Sequence, residues 1–289
     1  MARTVRPHQW VKNLFVLAPV VFAKHLTDPV LIRGAIGAFG VFCVLSGAVY
    51  TLNDLVDIEA DRVHPVKRHR PIASGVVPPA VAKAMAVVLL LLAFAGAALL
   101  SAALALVAAV YFAQNLAYSF RLKRVAYVDV ACIAFGFVLR VLAGGYATGT
   151  PLSGYMIACT ALLALFLGFG KRRHELGSAQ ATKQRQALRA YSARTLNVAL
   201  ALTGLAAVAV YFAYTLDPGI GTQHFFQSPW VSATTVHPLF GVGRFLQLVG
   251  GRPKAESPTQ EMLRDSAFML NIALWVAEVI VIVYHLRPT

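Results

Sequence analysis

Asn53, Asp57 and Asp61 recur every four residues in the segment Asn53-Asp54-Leu55-Val56-Asp57-Ile58-Glu59-Ala60-Asp61. On an α-helix each step of four turns about 400°, so the three drift only about 40° per step and share one face, about 6 Å apart along the axis. Three oxygen-bearing side chains in a row form a ledge for a hard cation such as Mg2+. That ion takes few protein carboxylates and completes its shell with water and phosphate oxygens. With Asp54 and Glu59 the segment holds four of the chain's twelve acids. Acids at the end of a membrane span are costly unless paired or liganded, which favours a metal ledge over a merely solvated helix end.

A basic run follows at once, His64-Pro65-Val66-Lys67-Arg68-His69-Arg70-Pro71. Beside metal carboxylates, such a run fits a diphosphate: the cation bridges phosphate oxygens and guanidinium groups grip them in pairs. Alone, the run would say no more than which side of a membrane the loop lies on.

The elements that must position these groups are apolar helices. Of 289 residues 58% are hydrophobic and 13% charged, against roughly 45–50% and about 25% in a soluble domain. Lipid as the outer solvent removes the problem of so much apolar surface. Spans of the necessary length, roughly 17–25 residues, fall near 12–27, 31–53, 80–99, 102–119, 126–147, 152–170, 195–216, 228–249 and 266–286. The first is interrupted by Pro19, Lys24 and His25. The expected fold is an all-α integral membrane protein, a single domain over 1–289. A polar loop after both the second and the sixth span hints at an internal repeat. Gly and Ala between Ala93 and Ala109 suit close helix packing in lipid.

With the N-terminus in the cytoplasm and nine alternating spans, the inside segments hold 21 of the 26 Lys and Arg. The positive-inside rule therefore predicts a cytoplasmic N-terminus and a cytoplasmic polar site in a multi-pass cell-membrane protein. The net charge of +14 sits in short loops between apolar spans. That excludes nucleic acid and leaves anionic lipid and phosphorylated ligands. Cys43, Cys132 and Cys159 lie in apolar stretches without metal-ligand spacing and read as small buried hydrophobes. His8, His25 and His224 read as structural or interfacial.

At this point the chain resembles the UbiA superfamily of intramembrane prenyltransferases. Asn53–Asp61 looks like that family's first Asp-rich motif, N-D-x-x-D-x-x-x-D. Tyr118-Ser119-x-x-Leu122-Lys123 resembles its tyrosine-to-lysine segment after the fourth span. The resemblance implies about nine helices around a central cavity open toward the cytoplasmic face. Ordinary members carry a second motif, D-x-x-x-D, after the sixth span. This chain has Gly170-Lys171-Arg172-Arg173-His174-Glu175-Leu176 there, so cations replace metal-binding acids and Glu175 is the one acid left. That departure, with Arg6-Pro7-His8-Gln9-Trp10-Val11-Lys12-Asn13 and the His64–Pro71 run, is similar to the decaprenyl-phosphate phosphoribosyltransferase branch. An acid is expected at Asp129. Nothing in the resemblance carries over to the segment near 217–230.

The resemblance implies transfer of 5-phosphoribose from phosphoribosyl diphosphate to a polyprenyl phosphate, a step toward arabinose donors for cell-wall arabinan. Asn53, Asp57 and Asp61 would hold Mg2+, and Asn53, Asp54, Asp57 and Asp61 would form the catalytic set. Lys67, Arg68 and Arg70 would hold the donor's phosphates. Lys171 and Arg172, with Glu175 beside them, would hold the 5-phosphate or the lipid phosphate. Lys12 and Lys123 are further candidates, and Tyr118 and Tyr191 would donate hydrogen bonds to phosphate or ribose oxygens. The lipid phosphate is already an anion and needs no strong general base.

Arg140 stands mid-span, where a charge costs roughly 2.5–3.5 kcal/mol on insertion scales. It must face a partner or a substrate. Asp129 lies eleven residues earlier, about three turns away, which argues against a same-helix pair. Two other readings compete with phosphoribosyl transfer. A conventional prenyltransferase shares the fold and first motif, but the basic Lys171-Arg172 segment opposes it. A transporter or lipid-binding scaffold would place its polar groups near the midplane instead of at one face. Oligomeric state is open, with room for a homo-oligomer.

Overall fold

The protein is represented by a computed structural model that describes residues 2–23, 28–177, 188, 190–217, 229–251 and 258–285. Lys24, His25 and His224 lie outside the described residues. Among the described residues the elements are all helices. Six are long and apolar enough to cross a membrane: α1 (Pro29–Val56), α2 (Pro79–Leu100), α3 (Ala102–Phe120), α4 (Val128–Thr148), α5 (Gly154–Leu176) and α6 (Ala193–Leu216). Their starts are set by local chemistry. Asp28 Oδ1 accepts from the N–H groups of Val30 (2.8 Å) and Leu31 (3.2 Å), and Pro29 suits a first-turn position that needs no donor. Ser101, Ser153 and Ser192 cap α3, α5 and α6 by accepting the N–H three residues on, at 3.0, 3.1 and 3.0 Å.

Two of the nine expected spans, the first and the eighth, take other forms. In place of a first span, Pro7–Leu17 is a 3-10 helix followed by a short α-helix, Ala18–Phe22. A 3-10 helix rises about 2.0 Å per residue against 1.5 Å, so this stretch extends farther than an α-helix of its length. The eighth is a 3-10 segment, Pro229–Thr235, leading into α7 (Val236–Gly250). Pro238 in its first turn has no N–H for a preceding turn, which fits an α-helix that begins there. The ninth is α8 (Ser266–His285), apolar over Ser266–Ile282.

The chain divides into two compact units, 1–123 with 135–152 and 124–134 with 153–289. Helix α4 contributes its start to the second unit and its remainder to the first. In the first unit Phe42, Leu45, Leu104 and Tyr111 are buried together, with the Phe42 and Tyr111 rings 5.2 Å apart. The N-terminal segment lies so close to α4 that a Cβ on Gly144 would fall 1.9 Å from the Val16 carbonyl oxygen. In the second unit Phe166, Leu196, Leu200 and Phe245 form the core. A Cβ on Gly170 would come within 2.5 Å of the Phe245 ring, so only glycine lets α5 lie this close just before Lys171. Cys43 is buried, Cys132 and Cys159 are half-buried, and none of the three forms a disulfide.

Candidate active site

In the first unit the acidic segment crosses a helix break. Helix α1 ends at Val56, Asp57 stands at the break and a short helix resumes over Ile58–Arg62. Each acid there meets a cation. Lys123 Nζ donates to both oxygens of Asp57, at 2.6 and 2.9 Å. Arg70 Nη1 donates to Asp61 Oδ2 at 2.5 Å and to Asp54 Oδ1 at 3.1 Å. Arg6 Nη2 donates to the same Asp54 Oδ1 at 2.5 Å, its guanidinium lying 5.2 Å from the centre of the Tyr50 ring. Asp54 is 2% exposed, and its Oδ2 has no hydrogen-bond partner among the described residues. Glu59 pairs at the surface with Arg62.

The Ser119 hydroxyl bonds to both the Asn53 side-chain amide and the Asn115 carbonyl, the latter at 2.7 Å. One hydroxyl proton cannot serve two acceptors. If it goes to the carbonyl, the Asn53 amide must turn its NH2 to Ser119, which leaves its oxygen available to a ligand.

The basic run forms a compact loop. His64 Nδ1 accepts from the N–H groups of Val66 (3.2 Å) and Lys67 (3.3 Å), which requires that nitrogen unprotonated. Desolvation and the nearby Lys67 and Arg70 cations hold the imidazole below its ordinary pKa, against the pull of Asp61. These bonds lie at the start of the 3-10 turn Lys67–His69, on which Lys67 is half-buried and Arg68 exposed.

Arg140 is 6% exposed and its described partners are neutral. Nε donates to Asn13 Oδ1 (2.8 Å), Nη1 to the Gly136 carbonyl (2.9 Å) and Nη2 to the Tyr111 hydroxyl (2.8 Å). The Tyr111 and Phe137 rings flank the guanidinium. Asn13 also accepts from Ser46 and donates to Cys43 Sγ. Lys12 is exposed and Tyr118 half-buried.

In the second unit Asp129 and Arg172 are both buried, and Arg172 Nε donates to Asp129 Oδ2 at 2.7 Å. Arg172 Nη1 donates to Glu175 at 2.7 Å. The Tyr191 hydroxyl donates to Asp129 Oδ1 (2.7 Å) and accepts from the Tyr127 N–H (2.6 Å). Tyr127 has φ +66°, a conformation uncommon for a non-glycine residue. Burial, and then the bond to Asp129, push the Tyr191 hydroxyl above the ordinary tyrosine pKa. Three residues expected to meet substrate are thus engaged within the protein, Arg172 and Tyr191 through Asp129 and Glu175 through Arg172, and Lys171 of this segment is exposed.

The residues that sequence reasoning missed are Arg6, Ser119, Asn13 and Tyr127. Arg6 and Asn13 were within the N-terminal motif and Ser119 within the tyrosine-to-lysine segment, but nothing in their spacing revealed their partners.

The UbiA prenyltransferase family matches residues 14–174 of this sequence. The chain belongs to that family. Among its relatives, decaprenyl-phosphate phosphoribosyltransferases from two strains of Mycobacterium tuberculosis are each 36% identical over 96% of this chain and 92% of theirs. The enzyme of that name from Mycolicibacterium smegmatis is 34% identical over 98% and 92%. A solved UbiA homolog from Archaeoglobus fulgidus, bound to GPP and Mg2+, superposes with a TM-score of 0.72 at 20% identity, over 97% of this chain and 98% of that one. The UbiA fold is shared over nearly the whole chain, and the protein is a membrane-type transferase of that family.

Proposed function

We propose that this protein transfers 5-phosphoribose from phosphoribosyl diphosphate to a polyprenyl phosphate, decaprenyl phosphate being the form in the relatives' names. The products are polyprenyl-phosphoryl-5-phosphoribose and diphosphate. The observation that carries the reading is the 34–36% identity to phosphoribosyltransferases along nearly the full length of both chains. The Lys171-Arg172 segment, where a second acidic motif is expected in other members, supports it.

Asn53, Asp57 and Asp61 each offer a side-chain oxygen to a metal, and the buried Asp54 Oδ2 has no hydrogen-bond partner among the described residues. That chemistry fits a hard cation. No group of three or more acidic, His or Cys side chains suited to a metal occurs among the described residues. Mg2+ is typically held by one or two carboxylates, with water and phosphate oxygens completing the shell. Asn53, Asp57 and Asp61 would hold it, and it would neutralise the charge growing on the leaving diphosphate.

The chain's own residues do the remainder. Displacement at the anomeric carbon breaks the bond to the diphosphate oxygen, and that oxygen leaves with the electron pair. An oxygen of the lipid phosphate forms the new bond. Both substrates are anions, so the approach requires countercharge. Lys67, Arg68 and Arg70 supply it to the donor. Lys171 supplies it to the 5-phosphate or lipid phosphate, and Lys12 and Lys123 add positive potential. Tyr118 donates to a phosphate or ribose oxygen.

We read residues 1–289 as one UbiA-like transmembrane domain of about nine spans around a cavity open to the cytoplasm, in the cell membrane. Membranes carrying the protein, supplied with labelled phosphoribosyl diphosphate and polyprenyl phosphate, should form a labelled phosphoribosyl lipid that needs a divalent cation. No such product, with turnover of a prenyl diphosphate onto an aromatic acceptor instead, would overturn the reading. Loss of flux with turnover intact in Asp57→Asn and Asp61→Asn would point to a transporter.

A further inference from the structure

Asp54 belongs to the acidic motif by sequence but not by orientation. It follows Asn53 by one residue, so it is turned about 100° from the face that Asn53 begins. Its single engaged oxygen, Oδ1, receives two guanidinium groups, from Arg6 at 2.5 Å and Arg70 at 3.1 Å. Arg70 is shared with Asp61, so the two arginines and two aspartates are formally balanced, and a metal taking up Asp61 would leave the pair of guanidinium groups in positive excess over Asp54. The carboxylate is 2% exposed, while the arginine side chains are 22% and 28% exposed, so each fork has an accessible part. A guanidinium carries five N–H donors. Among the described residues Arg6 makes one side-chain hydrogen bond, to Asp54, and Arg70 donates from Nη1, to Asp54 and Asp61.

The backbone adds an independent observation. Arg6 has φ +50° and ψ +64°, immediately before Pro7. A left-handed arginine is uncommon and costs energy, and such conformations persist where surrounding structure imposes them, often at functional sites. Here it accompanies a side chain that lies over Tyr50 with one Nη on Asp54.

We infer that Arg6 and Arg70 form a two-guanidinium clamp for the donor's diphosphate, and that Asp54 is the positioning residue that holds the clamp. This rests on the function proposed above. Asp54 keeps two like charges together before substrate arrives, so no reorganisation is needed when phosphate oxygens enter. Arg70 also touches Asp61, which sets the clamp beside the ledge where metal and diphosphate would meet. This adjacency assigns the clamp to diphosphate in preference to the lipid phosphate.

The test compares Arg6→Gln, Arg6→Lys, Arg70→Gln and Asp54→Asn with the unaltered protein. The readouts are KM for each substrate, kcat, the Mg2+ concentration giving half-maximal rate, and binding of inorganic diphosphate by calorimetry. Arg6→Gln and Arg70→Gln should raise KM for phosphoribosyl diphosphate about tenfold or more, the scale of a lost charged hydrogen bond. They should weaken diphosphate binding in parallel and leave KM for polyprenyl phosphate within about twofold. Arg6→Lys should recover part of the loss, because it keeps charge without the fork. Asp54→Asn should raise the same KM without shifting the Mg2+ requirement, whereas Asp57→Asn should shift it.

Unchanged diphosphate binding in both arginine variants would overturn the clamp. A rise confined to the lipid-phosphate KM would do the same. A shifted Mg2+ requirement in Asp54→Asn would make Asp54 a metal ligand and overturn its positioning role. Should Asp54→Asn fail to fold, the two arginine variants decide the clamp alone. If the unaltered protein forms no phosphoribosyl lipid, the proposed function fails, and diphosphate binding still decides the clamp.

Discussion

Arg172 Nε donates to Asp129 Oδ2 at 2.7 Å across 43 residues of sequence, with both side chains almost wholly removed from solvent. Removing one partner of a buried ion pair costs about 3–5 kcal/mol when the other is left uncompensated. Arg172 keeps Glu175, so Asp129→Ala should lower the detergent-solubilised protein's stability by up to about that amount. The double variant Asp129→Leu, Arg172→Met should recover much of it, because apolar groups of similar volume carry no desolvation penalty. Thermal unfolding of the three proteins measures this. A double variant as unstable as the single would show that the remaining partners, Glu175 and Tyr191, depend on the pair's charge.

Arg140 illustrates a different way to hold a buried cation. Its described partners, Asn13, Gly136 and Tyr111, share the charge through oxygen dipoles and ring faces. Asn13→Leu takes away the acceptor for Nε and should cost about 1–3 kcal/mol, the penalty for an orphaned buried donor. Tyr111→Phe should cost less, since the ring face stays beneath the guanidinium. Unfolding midpoints in detergent give the order. Equal losses from both would mean that the hydroxyl bond outweighs the ring.

Tyr191 makes an alkaline prediction. Burial and its bond to Asp129 raise the hydroxyl's pKa in the folded protein above the unfolded value. The folded state therefore favours the protonated tyrosine. The stabilisation is full below the unfolded pKa, near 10, and is lost as pH rises through the folded one. Melting temperature should fall across that alkaline window. The fall should be shallower in Tyr191→Phe, which is less stable at neutral pH. Parallel slopes in the two proteins would detach the alkaline loss from Tyr191.

The sequence exposed whatever follows from periodicity and left hidden whatever depends on distant partners. Four-residue spacing brought Asn53, Asp57 and Asp61 forward, and hydropathy located six apolar helices. Spacing along one helix does not encode that Arg6 comes to Asp54 across 48 residues, or Arg140 to Asn13 across 127. The charge of Arg172 was visible, but its burial against Asp129 was not. Hydropathy also cannot separate an α-helix from a 3-10 helix of the same composition, and so Pro7–Leu17 read as part of an ordinary span. The helix break at Asp57 was likewise invisible, because neither neighbour is a glycine or proline.

Orientation is testable through two exposed positions. The basic loop carrying Val76, which is 78% exposed, should face the cytoplasm by the charge asymmetry of the loops. Pro151, exposed between α4 and α5, should face the other side. In a background lacking Cys43, Cys132 and Cys159, an impermeant maleimide added to intact cells should label Pro151→Cys and spare Val76→Cys until the membrane is opened. The reverse pattern would invert the topology and place the acidic ledge outside.

Lys123 and Asp57 give the last prediction. The Lys123 ammonium sits on both Asp57 oxygens, where it opposes any second cation on that carboxylate. Without substrate, a divalent ion must displace it. Lys123→Met should therefore tighten substrate-free binding of Mn2+ several-fold, read by its electron paramagnetic resonance signal, and Asp57→Asn should weaken it. With substrate present the sign reverses for catalysis. The lost ammonium no longer offsets the donor's phosphate charge, so KM for phosphoribosyl diphosphate should rise in Lys123→Met even as the bare ion binds better. Weaker Mn2+ binding in Lys123→Met would remove Asp57 from the metal ledge.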